Sequence, residues 1–350
     1  MKLREHYMLK EILETPKVLG RIFGGSFKFP VGPEKKLGVI KRIFLVGSGT
    51  SYHAGLLGQI FFEDVAGVGS KAFVASEWNL NPPRFKTGDL AIFISQSGET
   101  TEIISALSLA RENKVSSLAV LNKINSTLAK KADFFIDITA GNEKAVPATK
   151  SFSAEVAILL KLAFVLARDR KDIGAGIFEG LTRESLGLPK VVTRVISESQ
   201  KIKKVALKYK KFDNFIITGS GLTLPLAHEL ALKLKESAIV EAEAMPLGEV
   251  RHGPLALAGK KLAFIFLVEA RDRARAKNLA VTLRKAGSSV LAFDCERFRA
   301  NDVIVLPKAA NIFTPLVFAP AFQIFAYWLA TFRGYNVDKP KNLTKSVREK

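Results

Sequence analysis

Short runs of β-branched, aromatic and aliphatic residues alternate with longer amphipathic stretches along most of the chain. The runs Arg42–Val46, Ala72–Ala75, Leu90–Ile94, Ser117–Leu121 and Phe134–Ile138 are bounded by turn residues and predict strands. Between them, Thr101–Glu112 places Ile103, Ile104, Leu107 and Leu109 at helical spacing. Near-continuous apolar strands that alternate with amphipathic helices imply an α/β fold with a parallel sheet covered on both faces. Such sheets bind ligands at the carboxyl ends of their strands, where loops meet helix N-termini.

The pattern repeats. IFLVGSGTS at Ile43–Ser51 resembles FIITGSGLT at Phe215–Thr223, AIFI at 91–94 resembles AFIF at 263–266, and SSLAVL at 116–121 resembles SSVLAF at 288–293. All three pairs are separated by 172 positions. A constant offset over three segments predicts two copies of one α/β unit. The expected division is an N-terminal helix and linker over 1–40, a first domain over 41–190, a second over 191–336 and a tail over 337–350.

One stretch, Ala309–Phe332, has no charged residue, but it contains Asn311, Pro315, Pro320 and Gln323. It predicts a buried helix of about 15 residues beginning after Pro320 rather than a membrane span. The N-terminal MKLREHYMLKEILETP lacks the apolar core of a signal peptide. A soluble, cytoplasmic protein is expected, with no membrane partner.

Composition narrows the chemistry. With 350 residues the chain suits two domains, and the single cysteine, Cys295, which is expected within a strand of the second copy, excludes an intramolecular disulfide framework or a multi-cysteine zinc site. The four histidines have no metal-ligand spacing, so no metal site is expected. The net charge of +20 is spread over separate runs with no helix-turn-helix, zinc-finger or RNP-like string, so nucleic acid is not expected as a partner. A positive field equally attracts phosphorylated small molecules.

Two strand-end loops carry hydroxyls. Gly47-Ser48-Gly49-Thr50-Ser51 begins like a dinucleotide fingerprint, but Tyr52 replaces the third glycine, so no dinucleotide cofactor is expected. Ser95-Gln96-Ser97-Gly98-Glu99-Thr100 again lies between a strand and a helix. Serine and threonine at helix starts often only cap the backbone. Two such loops in one sheet favour an anion site, and without a Walker lysine the expected anion is a monophosphate.

The second copy adds other groups. The predicted helix Pro225–Ile239 carries Glu229, Lys233 and Glu236 on one face; a surface ion pair is the ordinary reading of such a stripe. Glu241–Gly259 follows as a loop rich in Gly and Pro with Arg251 and His252, either a packed turn histidine or a proton-transfer group.

Taken together, GSGTSYHAG, SQSGETTE, AVPATKSF, ALKLKE, AEAMPLGEVRHGPLAL and DKPKNLTKSV resemble the isomerase half of glucosamine-6-phosphate synthases, in the double form of the sugar isomerase (SIS) domain family. The resemblance runs from about Arg42 to the C-terminus. It implies two tandem SIS domains, each a three-layer α/β/α unit. It also implies roles. Ser95, Gln96, Ser97 and Thr100 match the phosphate-binding loop, with Thr50 beside it; Ser51 and Val146 match residues lining the sugar. Glu236 matches the base that moves a proton between C1 and C2, and Lys233 a neighbouring catalytic lysine. His252 matches the ring-opening histidine that reaches the site from a partner subunit, which implies a homodimer. Lys345 matches a tail lysine implicated in imine formation. Ser48 stands where the synthases have cysteine and Ala148 where they have serine.

The resemblance implies a phosphorylated hexose or aminohexose as substrate and no cofactor. Three activities follow from it: isomerising deamination of glucosamine 6-phosphate, the reverse synthesis with ammonia or a separate glutaminase subunit, and non-catalytic sugar-phosphate sensing. The glutamine-hydrolysing domain of the synthases opens on a nucleophilic cysteine, whereas this chain opens on Met1-Lys2. Glutamine hydrolysis by that route is therefore not expected.

Overall fold

Alternating strands and helices do form two parallel sheets. The computed structural model describes residues 6–25, 40–170 and 173–345. Parts of the expected N-terminal linker (26–39) and the end of the tail (346–350) lie outside the described residues.

In chain order the first elements are α1 (Tyr7–Leu13), α2 (Thr15–Gly24), β1 (Arg42–Gly47), α3 (Thr50–Ala66), β2 (Gly69–Val74), α4 (Ala75–Leu80), β3 (Asp89–Ser95), α5 (Thr101–Glu112), β4 (Ser116–Leu121), α6 (Thr127–Lys131) and β5 (Phe134–Asp137). There follow α7 (Lys150–Arg170), α8 (Ala175–Ser197), α9 (Ser199–Tyr209), β6 (Asn214–Gly219), α10 (Thr223–Lys233) and β7 (Glu241–Pro246). The chain continues through β8 (Leu262–Leu267), α11 (Arg273–Lys285), β9 (Ser289–Asp294), β10 (Asp302–Val305) and α12 (Thr314–Phe332).

The chain divides into two units. The first comprises the described residues of Thr15–Glu143, Lys150–Pro189 and Thr344–Lys350; the second those of Met1–Glu14, Lys144–Thr149 and Lys190–Leu343. The first holds a parallel sheet in the order β2-β1-β3-β4-β5 and the second one in the order β10-β9-β8-β6-β7. Read from the other edge, the second order repeats the first. Each sheet is flanked by helices. In the first unit Phe44, Val46, Ala91 and Phe93 pack with Trp78 of α4 and with Ile103, Ala106 and Leu107 of α5. Gly55 of α3 lies instead over Leu45 and Ile94, whose side chains point to the other face. In the second unit Ile216, Phe264, Phe266 and Ala292 pack with Ala276, Leu279 and Leu283 of α11.

The strand register corrects the constant offset. Arg42 pairs with Gly69 and Asp89, and Asn214, 172 positions later, pairs with Glu241 and Leu262. The β1 and β2 partners keep the offset, but Leu262 stands 173 positions after Asp89. One extra residue between β7 and β8 has shifted β8 and β9. A single-residue slip exchanges sheet faces, so Ala91 corresponds to Phe264 rather than to Ala263. The packing agrees, since Ala91 shares a core with Phe44, and Phe264 shares one with Ile216.

Four local expectations also change. The second strand occupies Gly69–Val74, and Ala75 begins α4. The stretch expected as a loop after Val240 contains β7, which pairs in parallel with β6, before two short 3-10 turns. Cys295 lies just beyond β9 rather than in it. The apolar C-terminal helix starts at Thr314, with Pro315 in its first turn and Pro320 inside. Proline suits a first turn, whereas inside a helix it forfeits one hydrogen bond. Here that loss is offset by burial of nearly the whole apolar helix. By length and composition Asn311–Phe332 could cross a membrane, yet 89% of its apolar window is buried inside the protein.

Candidate functional site

The loop Ser95–Thr100 is held from below. Glu99 accepts hydrogen bonds from the Thr127 backbone N–H (2.9 Å) and hydroxyl (3.0 Å), and Gly98 O accepts from Leu128 N–H at 3.0 Å. Gly98 has φ +62° and a β-carbon there would collide with the Ser126 hydroxyl. Within the loop, Ser95 Oγ accepts from Gly98 N–H at 3.1 Å and lies 3.3 Å from Thr100 Oγ1, while Ser97 Oγ accepts from Glu99 N–H at 3.2 Å. Thr100 is the N-cap residue of α5, yet its side chain makes no capping bond. Simple capping therefore does not account for its hydroxyl. Ser95 and Ser97 are buried, and Gln96 is half-buried with its carbonyl accepting from Asn122 N–H.

Other expected residues of the first unit are tied to buried carboxylates. Ser51, in the first turn of α3, donates to Glu155 Oε1 of α7 at 2.9 Å; Thr50 opens that helix and is half-buried. Lys345 pairs with Glu143 Oε2 at 2.8 Å, and Glu143 also accepts from the Ser151 hydroxyl (2.7 Å) and N–H (3.2 Å). Glu143 and Glu155 carried no sequence signal. Lys345 is 202 residues from Glu143 and Ser51 is 104 from Glu155, beyond any local pattern.

In the second unit the stripe on α10 is a buried ion triad rather than a surface pair. Lys233, with no exposed side-chain surface, lies 3.3 Å from Glu229 Oε1 and 2.6 Å from Glu236 Oε2. Glu229 is equally buried, and Glu236 keeps 19% of its side chain exposed. Burial pulls the Lys233 ammonium down, but the charges and hydrogen bonds of Glu229 and Glu236 outweigh it, so its pKa stands above the ordinary lysine value. Glu236 lies on a π-helical turn, Leu234–Ala238, which ends at Ile239 with φ +52°. π turns concentrate at functional sites, and positive φ at a β-branched residue is a backbone outlier.

Val146 of this unit is half-buried, and its N–H donates to Asp338 O at 3.0 Å. His252 follows the 3-10 turn Leu247–Arg251 and is exposed; its N–H donates to Glu249 O at 2.9 Å. Among the described residues, no group of three or more His, Cys, Asp or Glu could hold a metal. A cleft of about 1150 Å³ in the first unit, lined by Asp89, Lys114, Ser116 and Phe134, opens at the amino ends of β3–β5 and contains none of the expected site residues.

Residues 36–165 match the SIS domain model. Among curated relatives, the isomerizing glutamine–fructose-6-phosphate aminotransferase of Chlorobaculum tepidum is 35% identical over 359 residues, and that of Aquifex aeolicus 33% over 350. Each alignment covers 98% of this chain and 58% of the relative, so the chain spans little more than half the length of these proteins. The solved C-terminal domain of glucosamine-fructose-6-phosphate aminotransferase from Francisella tularensis superposes with a TM-score of 0.91 at 28% identity, covering 97% of this chain and all of that one. Glucosamine-6-phosphate deaminase from Thermotoga maritima superposes at 0.80 with 26% identity, covering 97% and 99%. The protein carries a SIS domain in an α/β fold. Over nearly its whole length it is similar to the C-terminal domain of the Francisella aminotransferase.

Proposed function

We propose that the chain is a phosphosugar isomerase built from two tandem three-layer SIS domains, and that it converts glucosamine 6-phosphate and water to fructose 6-phosphate and ammonia. The observation that carries this reading is Glu236. Its carboxylate is partly exposed, set on a π turn and held 2.6 Å from a buried ammonium. Isomerisation needs one base able to serve two adjacent carbons. His252 opens the ring. Glu236 then takes the C2 proton of the open aminoaldose, leaving an enolamine, and returns it to C1. The resulting ketimine exchanges onto Lys345 with release of ammonia, and water hydrolyses the Lys345 imine to the ketose. Lys233 positions Glu236. The Ser95–Thr100 loop, with Thr50, holds the phosphate, and Ser51 and Val146 line the sugar. Binding energy at the phosphate then serves orientation at the reacting carbons.

The reverse reaction is the second reading, since the relatives at 35% and 33% identity are named aminotransferases. As in the resemblance, the working form is a cytoplasmic homodimer in which His252 serves the partner's site. Coupled assays decide. Ammonia release from glucosamine 6-phosphate supports deamination. Amination of fructose 6-phosphate with ammonium or with an added glutaminase, but no release, supports synthesis. Binding without turnover in either direction would leave a sensor. Glu236→Gln is expected to keep sugar-phosphate affinity and lower kcat about a hundred- to ten-thousand-fold; unchanged kcat would remove Glu236 as the base.

A further inference from the structure

The two units share a strand order and a Gly-Ser-Gly turn, but they differ in what faces the helix after that turn. A β-carbon on Gly47 would strike the Ser51 carbonyl group, and one on Gly219 would strike that of Thr223, so the turns share a backbone course. In the first unit the loop after β3 has Gln96 directly after Ser95, and its one carboxylate, Glu99, is bonded to Thr127. In the second, the register after β8 brings Glu269 to the position that Gln96 holds in the first.

Glu269 is 3% exposed. Its Oε1 accepts from the N–H of Leu222, the N-cap residue of α10 and the counterpart of Thr50, at 2.7 Å. Its Oε2 lies 2.8 Å from Arg271 Nε. Gly221 has φ +50°, and the Arg271 guanidinium, at the end of a largely exposed side chain, lies over it. Burial raises the Glu269 carboxyl above its ordinary value, and Arg271 and the Leu222 and Thr223 N–H groups offset only part of that rise.

We propose that Glu269 is an internal anion: it fills, in the second unit, the place at the strand end that the first unit offers to phosphate, and so determines that each chain binds its phosphorylated ligand through the first unit alone. The proposal rests on the phosphate role given to Ser95–Thr100. The two loops occupy matching places in the two sheets, and a fixed carboxylate excludes a second anion by charge.

The test counts inorganic phosphate bound per chain by equilibrium dialysis with radiolabelled phosphate. One site in the unaltered chain and two in Glu269→Ser are expected. Glu269→Gln, which removes the charge and places there the residue type that Gln96 has in the first unit, should also reach two. Two sites in the unaltered chain, or no gain in Glu269→Ser, overturns the proposal. Should the unaltered chain bind none, the phosphate role of the first loop fails, while a gain from none to one in Glu269→Ser still upholds the blocking role. Circular dichroism verifies folding. If Glu269→Ser does not fold, Glu269→Ala takes its place, and the count on the unaltered chain still decides against the proposal if it is two.

Discussion

An ammonium with no exposed surface is tolerated at Lys233 because Glu229 and Glu236 share its charge. Removing one member of such a group leaves buried charge unpaired, which costs about 3–5 kcal/mol. Lys233→Met should therefore lower stability by that order, measured by urea unfolding, and should lower turnover as Glu236 loses its anchor. The pH dependence follows from the sign of the shift. The folded pKa of Lys233 is raised, so its contribution is fully present below the unfolded lysine value of about 10.4 and fades only as pH rises through the folded value. The contribution of Lys233 itself should thus be constant between about pH 6 and 9 and fade only in strong alkali. Any change in the Lys233→Met deficit within that range would come from the two carboxylates left without their ammonium. The stripe itself was legible at i, i+4 and i+7. Its burial was not, because a surface pair and an internal triad have the same spacing, and only the packing around α10 separates them.

At the scale of elements, the loop after β3 depends on one glycine. Gly98 combines φ +62° with a position where a β-carbon meets Ser126. Gly98→Ala should cost about 1–3 kcal/mol and shift the hydroxyls of Ser95, Ser97 and Thr100. Its signature is a raised KM for the hexose phosphate that exceeds the KM change in Ser97→Ala, with both proteins still folded. Equal KM values for Gly98→Ala and the unaltered chain would show that the loop does not hold the phosphate. Strand cores such as Leu90–Ile94 were legible because buried parallel strands are apolar throughout. Two elements were misplaced for identifiable reasons. The glutamates of β7 alternate with alanine and read as a loop, although backbone pairing with β6 makes an edge strand of them. Pro320 suggested a helix start, because local propensity cannot register the burial that carries α12 through it. The π turn under Glu236 has no local signature beyond the helix it ends.

For the whole molecule, the repeated strand order was visible in the chain, but the slip from 172 to 173 positions was not, since AIFI and AFIF align equally well by composition. That slip decides which residue of the second unit answers to Gln96, and hence why Glu269 stands out only once the strands are paired. The exposed His252 raises a question of the same scale. A ring-opening histidine supplied by its own chain and one supplied by a partner predict different behaviour in mixtures. Glu236→Gln and His252→Ala, each inactive alone, should recover activity when co-expressed if the site is shared across a two-fold dimer. Half of the assemblies are then mixed, and in each of these one site carries both substitutions and the other neither, so recovery approaches about a quarter of unaltered activity. Sedimentation of a monomer, or co-expressed variants no more active than either alone, would place His252 in its own chain's site or outside the chemistry.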